Sequence, residues 1–424
     1  MPRQQLILPS SIADAIVNTG ANSGDIGVRW WPGDELYVIS GYGVTGHVMR
    51  QVHSEWQERH CTSAASYQGG IGFWYRATTP ELHLMWRYFA ARDVGTTTEF
   101  FREHVKGWNF PGEVSYPVLT FTTDEVSGQP TWSAWDVAKE GVMPLDVEVV
   151  REDADLYTGL GDAWPLDRLD QARVLIVGVG SIGSAAAEAL QEYGIRHFSL
   201  LDPDRLWVRN LARHRLTERD IGRFKVNAMA ELMRGRDRDA LIEPLTLDVV
   251  DHADLVRGIL LEIDMVVVCS DGVESRQVAN HLVCWSGTPA VFACVLVDGG
   301  VGEILRVRPG ASKCLLCFRQ HLIDSESLDP EPGLDLRYGT GTRHLPMTAV
   351  GGDLDLVGKV AAKAAVATLL EKAGHWEHRL PGDHAVIGLR SSLGLTDPFN
   401  APNSGIEWHD TGTPASDCVS CARS

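Results

Sequence analysis

Apolar positions along the chain fall into two textures. In residues 1–150 short β-like runs recur at Glu35–Ser40, Gly69–Tyr75, Tyr116–Thr122 and Pro130–Trp135. Helical spacing is weaker and confined to residues 81–91 and 97–106. Together they predict a compact α+β module. From Asp170 onward continuous apolar runs alternate with helical stretches. Arg173–Gly178, His197–Asp202, Met265–Cys269 and Pro289–Ala293 predict strands, and Ser181–Tyr193, Val226–Arg234 and residues 274–285 predict helices. Buried strands alternating with helices predict an α/β fold, a mostly parallel, doubly wound, Rossmann-like sheet covered on both faces. The polar, glycine-containing stretch Glu152–Trp164 breaks the pattern and divides the chain into expected domains 1–150 and 155–424.

Composition narrows the partners. Of 424 residues, 44% are hydrophobic and 22% charged, which excludes global disorder. The net charge of -18 disfavours nucleic acid, which needs a basic surface, and also docking on an anionic membrane. One local exception, the basic stretch Arg205–Arg215, is suited to a polyphosphate. No run approaches the ~20 apolar residues of a membrane span. The segment MPRQQLILPSSIADAI lacks the hydrophobic core and cleavage site of a signal peptide. A cytoplasmic location is therefore expected.

The first candidate chemistry is Gly178-Val-Gly180-Ser181-Ile-Gly183, which follows an apolar strand and opens a helix. In that context the first glycine permits a tight turn, the second lets phosphates approach the backbone, and the third lets helix and strand pack closely. The N–H groups opening the helix face an anion. Asp202 ends the next strand, about 20 residues on, where a carboxylate takes ribose hydroxyls. An NAD oxidoreductase carries the same fingerprint, so the choice needs the residues that follow. These are Asn210, Arg213 and Lys225, with Asp271 after a later strand. Residues beyond strand ends converge on the ligand crevice of a doubly wound sheet. A nucleotidyl transferase needs such a set: Arg and Lys to neutralise charge on departing pyrophosphate, and an Asp to hold Mg²⁺. Singly, Arg213 reads as a solvated ion pair, Lys225 as an exposed helix lysine and Asp271 as a helix N-cap.

Four of the eight cysteines stand in two CxxC pairs, Cys314/Cys317 and Cys418/Cys421. Four thiolates close a tetrahedral Zn²⁺ site, structural because no coordination position stays open. An iron–sulfur cluster and a redox pair are the alternatives. A metal would tie the otherwise fraying C-terminal tail to the body.

These residues, in this order, resemble the ThiF/MoeB/ubiquitin-activating-enzyme superfamily of adenylating enzymes. The resemblance runs through VLIVGVGSIGS, LLDPDRLWVRNLARH, IGRFKV, VVVCSDGVESRQVANHLV, TPAVFACVLVDGGVGEILRVRPGASKCLLC and the terminal CVSC, nearly two thirds of the chain. It implies ATP- and Mg²⁺-dependent activation of a C-terminal carboxylate as an acyl-adenylate, the substrate being a ubiquitin-like carrier protein or a peptide. By matching position, Gly178, Gly180, Ser181 and Gly183 would cradle the nucleotide. Asp202 would hold the ribose, with Asp204 beside it in the nucleotide site. Asn210, Arg213 and Lys225 would contact phosphates, Asp271 would hold magnesium, and the four cysteines zinc. The resemblance also implies a homodimer or a pairing with an inactive homologue.

Three departures qualify it. Gly272 follows Asp271 where the family often has Asn. Leu156–Leu169 lacks the Arg-Gln pair that can reach a neighbour's ATP. No cysteine lies between Cys317 and Cys418, where thioester-forming members carry one. The chain therefore resembles members that stop at the adenylate or pass it to another nucleophile. Cys294 and Cys61 are the candidates for a covalent step, against the plainer reading of small core residues.

In the N-terminal part, Phe73-Trp-Tyr-Arg-Ala-Thr-Thr-Pro resembles a strand of JAB-type deubiquitinase domains, without their HxHP and SxxD zinc signatures. That implies an inactive domain for a partner or substrate. A ubiquitin-conjugating-like or peptide-recognition fold is equally allowed. The many tryptophans there read as core, and His47, His53 and His60 as structural or solvated. Two other functional classes remain: a non-catalytic scaffold or peptide-delivery partner, and a tRNA threonylcarbamoyl-adenosine dehydratase, which the acidic charge disfavours.

Overall fold

A computed structural model describes residues 4–31, 33, 35–44, 50–51, 68–105, 108, 114–124, 128–152, 156–157, 159–160, 164–296, 299–325, 349–391 and 395–422. Cys61 and the histidines at 47, 53 and 60 lie outside them. The chain divides into two compact units, Met1–Asp155 and Leu156–Ser424.

The first unit runs β1 (Gln5–Pro9), α1 (Ser10–Asn18), β2 (Ser23–Trp31), β3 (Leu36–Tyr42), β4 (Arg50–Gln51), β5 (Gln68–Arg76), α2 (Glu81–Arg92), α3 (Thr98–His104), β6 (Tyr116–Thr123), β7 (Pro130–Ala138) and β8 (Gly141–Val150). The strands form one sheet in the order β1-β8-β7-β6-β5-β2-β3-β4, and β1 also pairs in parallel with β3. Seven strands therefore close on themselves, which removes the exposed edges an open sheet would present. Helix α1 sends Ile12, Ala13 and Ile16 into a core with Leu6, Leu8, Trp74 and Phe121. Helices α2 and α3 cover a second core around Leu82, Phe101 and Trp135. Trp74 and Trp135 are fully buried core residues with their N–H groups satisfied: Trp74 donates to the Gly43 carbonyl at 2.9 Å and Trp135 to the Thr120 hydroxyl at 3.1 Å. Elements β1, α1, β2 and β8 go beyond the strands read from sequence.

The second unit runs α4 (Leu166–Leu169), β9 (Arg173–Val177), α5 (Ser181–Glu192), β10 (His197–Leu201), α6 (Lys225–Arg236), β11 (Leu241–Leu245), α7 (Ala253–Ile259), β12 (Met265–Val268), α8 (Val273–Ser286), β13 (Ala290–Leu296), β14 (Val301–Val307), α9 (Leu315–Asp324), α10 (Gly351–Lys372), β15 (His384–Gly388) and β16 (Ile406–His409). The sheet order is β11-β10-β9-β12-β13-β14-β15-β16. Strands β11 to β13 pair in parallel, as the alternating βα pattern predicts. Strands β14 to β16 extend the sheet in antiparallel fashion, which the sequence reading did not anticipate. The chain leaves β9 for β10 on one side and later places β12 on the other. This is a topological switch point, where α/β sheets open a ligand crevice at the carboxyl ends of the strands.

Helix α10 lies across this sheet. Its Ala361, Ala362, Ala364 and Ala365 are fully buried, and a side chain at Gly358 would lie 2.6 Å from the Ile182 carbonyl. Small residues are what let α10 approach α5 so closely. Arg306 is buried between the end of α10 and the approach to β15, bonded to Glu371 at 2.8 Å and Asp383 at 2.7 Å. Among the described residues no helix is long and apolar enough to cross a membrane.

Candidate nucleotide site and cysteine cluster

The glycine loop leaves β9 at the switch point, and each glycine has its own steric reason. Gly178 adopts φ +87°, and a Cβ there would lie 2.7 Å from the Ser270 amide nitrogen. The loop after β12 is thus packed against the loop after β9, which brings the residue preceding Asp271 against Gly178. A Cβ at Gly183 would lie 1.9 Å from the Gly178 carbonyl oxygen, so helix and strand meet only because that atom is missing. At Gly180 a Cβ would meet nothing within 4 Å. This is the open cradle that a phosphate approaching the backbone requires, at the N-cap of the 12-residue helix α5.

Asp202 is buried and both of its oxygens are engaged from within the chain. The Val179 N–H donates to Oδ2 at 2.7 Å and the Asp204 N–H to Oδ1 at 2.8 Å. Burial pushes its carboxyl above the ordinary range, offset by Lys225, whose Nζ stands 3.8 Å away. The carboxylate therefore braces the glycine loop from the end of β10.

Lys225 opens α6 and its side chain is buried, so the exposed-lysine alternative does not hold. Its Nζ donates to Asp204 Oδ2 at 2.8 Å. Asp204 is itself largely exposed, so this cation sits just beneath the crevice surface. Asn210 and Arg213 belong to one 3₁₀ turn, Val208–Arg213. Asn210 Oδ1 accepts from the Trp207 N–H at 2.9 Å. The first residue of α10 packs on this turn, since a Cβ at Gly351 would lie 2.8 Å from the Ala212 carbonyl. Asp271 is exposed, and the N-cap of α8 is Gly272 without a side-chain cap, so the helix-cap alternative for Asp271 does not hold either.

One residue of this site went unassigned in the sequence. His214 is buried, and its Nε2 donates to the Val179 carbonyl at 2.9 Å while its Nδ1 accepts from the Leu216 N–H at 3.2 Å. Burial, aided by the Lys225 charge, holds its imidazole neutral with a pKa of about 4. Its adjacency to Arg213 was the available signal, but chain position alone does not reveal a contact to Val179.

Cys314, Cys317, Cys418 and Cys421 come together as the CxxC spacing predicts, with all four Sγ atoms within 4.8 Å of one another. Cys314 and Cys418 are 3.6 Å apart, Cys317 and Cys421 3.2 Å. Four sulfurs at about 2.3 Å from a tetrahedral zinc would stand roughly 3.8 Å apart, so the set fits the ion. A hydrogen bond from the nearby Cys284 thiol holds Cys314 well below the ordinary thiol range. Cys294 lies within β13, paired with Glu303 of β14, and its thiol is directed at Glu303 Oε2 at 3.5 Å. Burial and that carboxylate push it up to about 12, and burial likewise raises Cys269. Neither is poised as a thiolate nucleophile.

A sequence model of the ThiF family matches residues 153–378. The sulfur carrier protein ThiS adenylyltransferase of Bacillus subtilis (strain 168) is 30% identical over 168 residues, 39% of this chain and 48% of that protein. Ubiquitin-like modifier-activating enzyme 5 of Oryza sativa subsp. japonica is 27% identical over 211 residues, 46% of this chain and 49% of that protein. The chain thus spans about half the length of the curated relatives it matches. Among solved structures, E. coli MccB with AMPCPP and selenomethionyl MccA aligns with a TM-score of 0.45 and 20% identity, over 60% of this chain and 68% of that one.

Proposed function

Because the chain belongs to the ThiF family, matched over residues 153–378, we propose that its second unit adenylates the C-terminal carboxylate of a ubiquitin-like protein or a peptide. The observation that carries this reading is the open face of Gly180 at the switch point, between the loop bearing Asp271 and the end of β10 bearing Asp202. The names of the relatives, an adenylyltransferase and a modifier-activating enzyme, agree with it.

The residues supply the chemistry of AMP transfer. Gly178, Gly180, Ser181 and Gly183 form the phosphate cradle with the N-terminus of α5. Asp202 holds the ribose. Asn210, Arg213 and Lys225 neutralise charge on the pyrophosphate as it leaves. Lys225 would exchange its bond to Asp204 for one to phosphate. A substrate carboxylate is already an anion at neutral pH, so attack on the α-phosphorus needs no general base. Alignment and charge stabilisation carry the rate. Asp271 is the residue to hold Mg²⁺, with Asp204 at the same crevice, and the ion when bound neutralises phosphate charge. The four cysteines hold a structural Zn²⁺ that pins the C-terminal tail to α9.

The reaction ends at the adenylate or passes it to an external nucleophile, since Cys294 is protonated and hydrogen-bonded and no cysteine lies between Cys317 and Cys418. The active form in this reading is a homodimer, and the first unit receives the substrate or a partner. The test is ATP–pyrophosphate exchange with Mg²⁺ and candidate ubiquitin-like proteins or peptides. Carboxylate-dependent exchange is expected. Absence of both exchange and ATP binding would turn the assignment to a non-catalytic scaffold.

A further inference from the structure

We propose that His214 is a positioning residue for the nucleotide, holding the Val179 peptide so that the Gly180 N–H is presented to the phosphates of ATP. The inference rests on the nucleotide-binding reading above and deepens it.

The Val179 residue is gripped from both sides. Its N–H donates to Asp202 Oδ2 at 2.7 Å, and its carbonyl accepts from His214 Nε2 at 2.9 Å. The ring has one way to do this. The Leu216 N–H donates to Nδ1 at 3.2 Å, so Nδ1 is the acceptor and Nε2 carries the proton. A trans peptide directs its C=O and N–H to opposite sides. Among the described residues the cis bond is at Asp397–Pro398, so the Val179–Gly180 peptide is trans. With the carbonyl turned to His214, the Gly180 N–H is turned away from it. Gly180 is also where a Cβ would meet nothing within 4 Å. The donor and the open space belong to the same residue.

His214 is 9% exposed and acts through the loop rather than by touching a ligand. The charged groups that bear on it are Lys225 and Asp220, of opposite sign. Burial outweighs both and keeps the ring neutral at neutral pH, which preserves one donor and one acceptor. Asp202 alone would leave the Val179 carbonyl unpartnered and the peptide free to rotate, so a preorganised donor would become a mobile one.

The test compares His214→Leu and His214→Met, which fill the space but make neither bond, with His214→Gln. A glutamine amide can accept from Leu216 through Oε1 and donate to Val179 through Nε2, so it restores both. Mg-ATP binding is measured by titration calorimetry at neutral pH, with far-UV circular dichroism and melting of the ligand-free proteins as controls. The Leu and Met variants, folded, should bind ATP about tenfold more weakly, the loss expected of one misplaced hydrogen bond. The Gln variant should return to within about threefold of wild type. ATP affinity unaltered in a folded Leu or Met variant overturns the clamp alone. So does a Gln variant as weak as those two. If neither Leu nor Met folds, the Gln variant decides: wild-type affinity supports the two-bond account and weakened binding overturns it. A wild-type chain that binds no ATP overturns the nucleotide reading and the clamp together.

Discussion

Alanine at Gly180 and alanine at Gly183 should have opposite consequences, although both glycines belong to the same loop. A methyl at Gly183 would sit 1.9 Å from the Gly178 carbonyl oxygen, where ordinary contacts lie at 3.4–4 Å. The obstacle is backbone, not a flexible side chain, so α5 and the turn after β9 must separate. Helix propensity favours alanine by about 1 kcal/mol at this helical position. Overpacking a tight core costs about 1–3 kcal/mol and more when backbone must move. The net is a loss of about 2 kcal/mol, or roughly 4–8 °C in Tm for a unit of this size. Gly180 has φ -81° and ψ -151°, extended backbone that any residue adopts, and its added methyl touches nothing. Only the weaker N-cap preference of alanine opposes the change, at about 0.5–1 kcal/mol. The methyl does, however, occupy the cradle. Gly180→Ala should therefore melt within about 3 °C of wild type yet bind Mg-ATP at least about tenfold more weakly. Scanning calorimetry and ATP titration of both variants make the measurement. ATP affinity unchanged in Gly180→Ala, or a wild-type Tm in Gly183→Ala, would refute the steric reasoning.

Other outcomes follow from the same geometry. His214 stays neutral down to about pH 4 in the folded chain, against about 6.5 when unfolded. Between those values the unfolded chain binds a proton that the folded chain refuses, so stability falls as pH drops through that window. At about 1.4 kcal/mol per unit the loss is roughly 3 kcal/mol. His214→Gln should flatten this part of the pH–stability curve, and an unchanged slope in urea titrations would count against it. Removing zinc with a strong chelator should lower the melting temperature of the second unit, because the binding energy of a structural metal is folding energy. Metal analysis showing no zinc in fresh protein would withdraw that claim. Asp271→Ala should abolish carboxylate-dependent ATP–pyrophosphate exchange with little change in Tm, since the side chain is exposed and the N-cap position of α8 belongs to Gly272. Exchange at the wild-type rate would remove Asp271 from the site.

Much of the second unit was legible because its signals are local. The glycine loop needs a strand before it and a helix after it, and the βα alternation supplies both within one stretch of chain. Two CxxC pairs announce a cluster of four thiols whatever the distance between them. Helix α10 was not read, because alanine and glycine buried on most sides leave no amphipathic stripe to detect. The three antiparallel strands β14 to β16 were missed for a related reason: β15, His384–Gly388, is buried at all five positions and shows no alternation. In the first unit, closure of the ring depends on β1 pairing with both β8 and β3, contacts between segments far apart in sequence.

By itself the sequence determined the class of the second unit and picked out the glycine loop after β9 and the four cysteines that the fold brings together. Each is written in residues close along the chain or in a repeated spacing, and local stereochemistry suffices to read it. Only the tertiary structure decided that Asp202 and His214 hold the N–H and the carbonyl of one residue, Val179, that Lys225 is buried between two carboxylates, and that burial raises the Cys294 thiol. Those properties arise from burial and from partners on other elements, and hydrogen bonding and desolvation take their values only once the chain has brought those partners together.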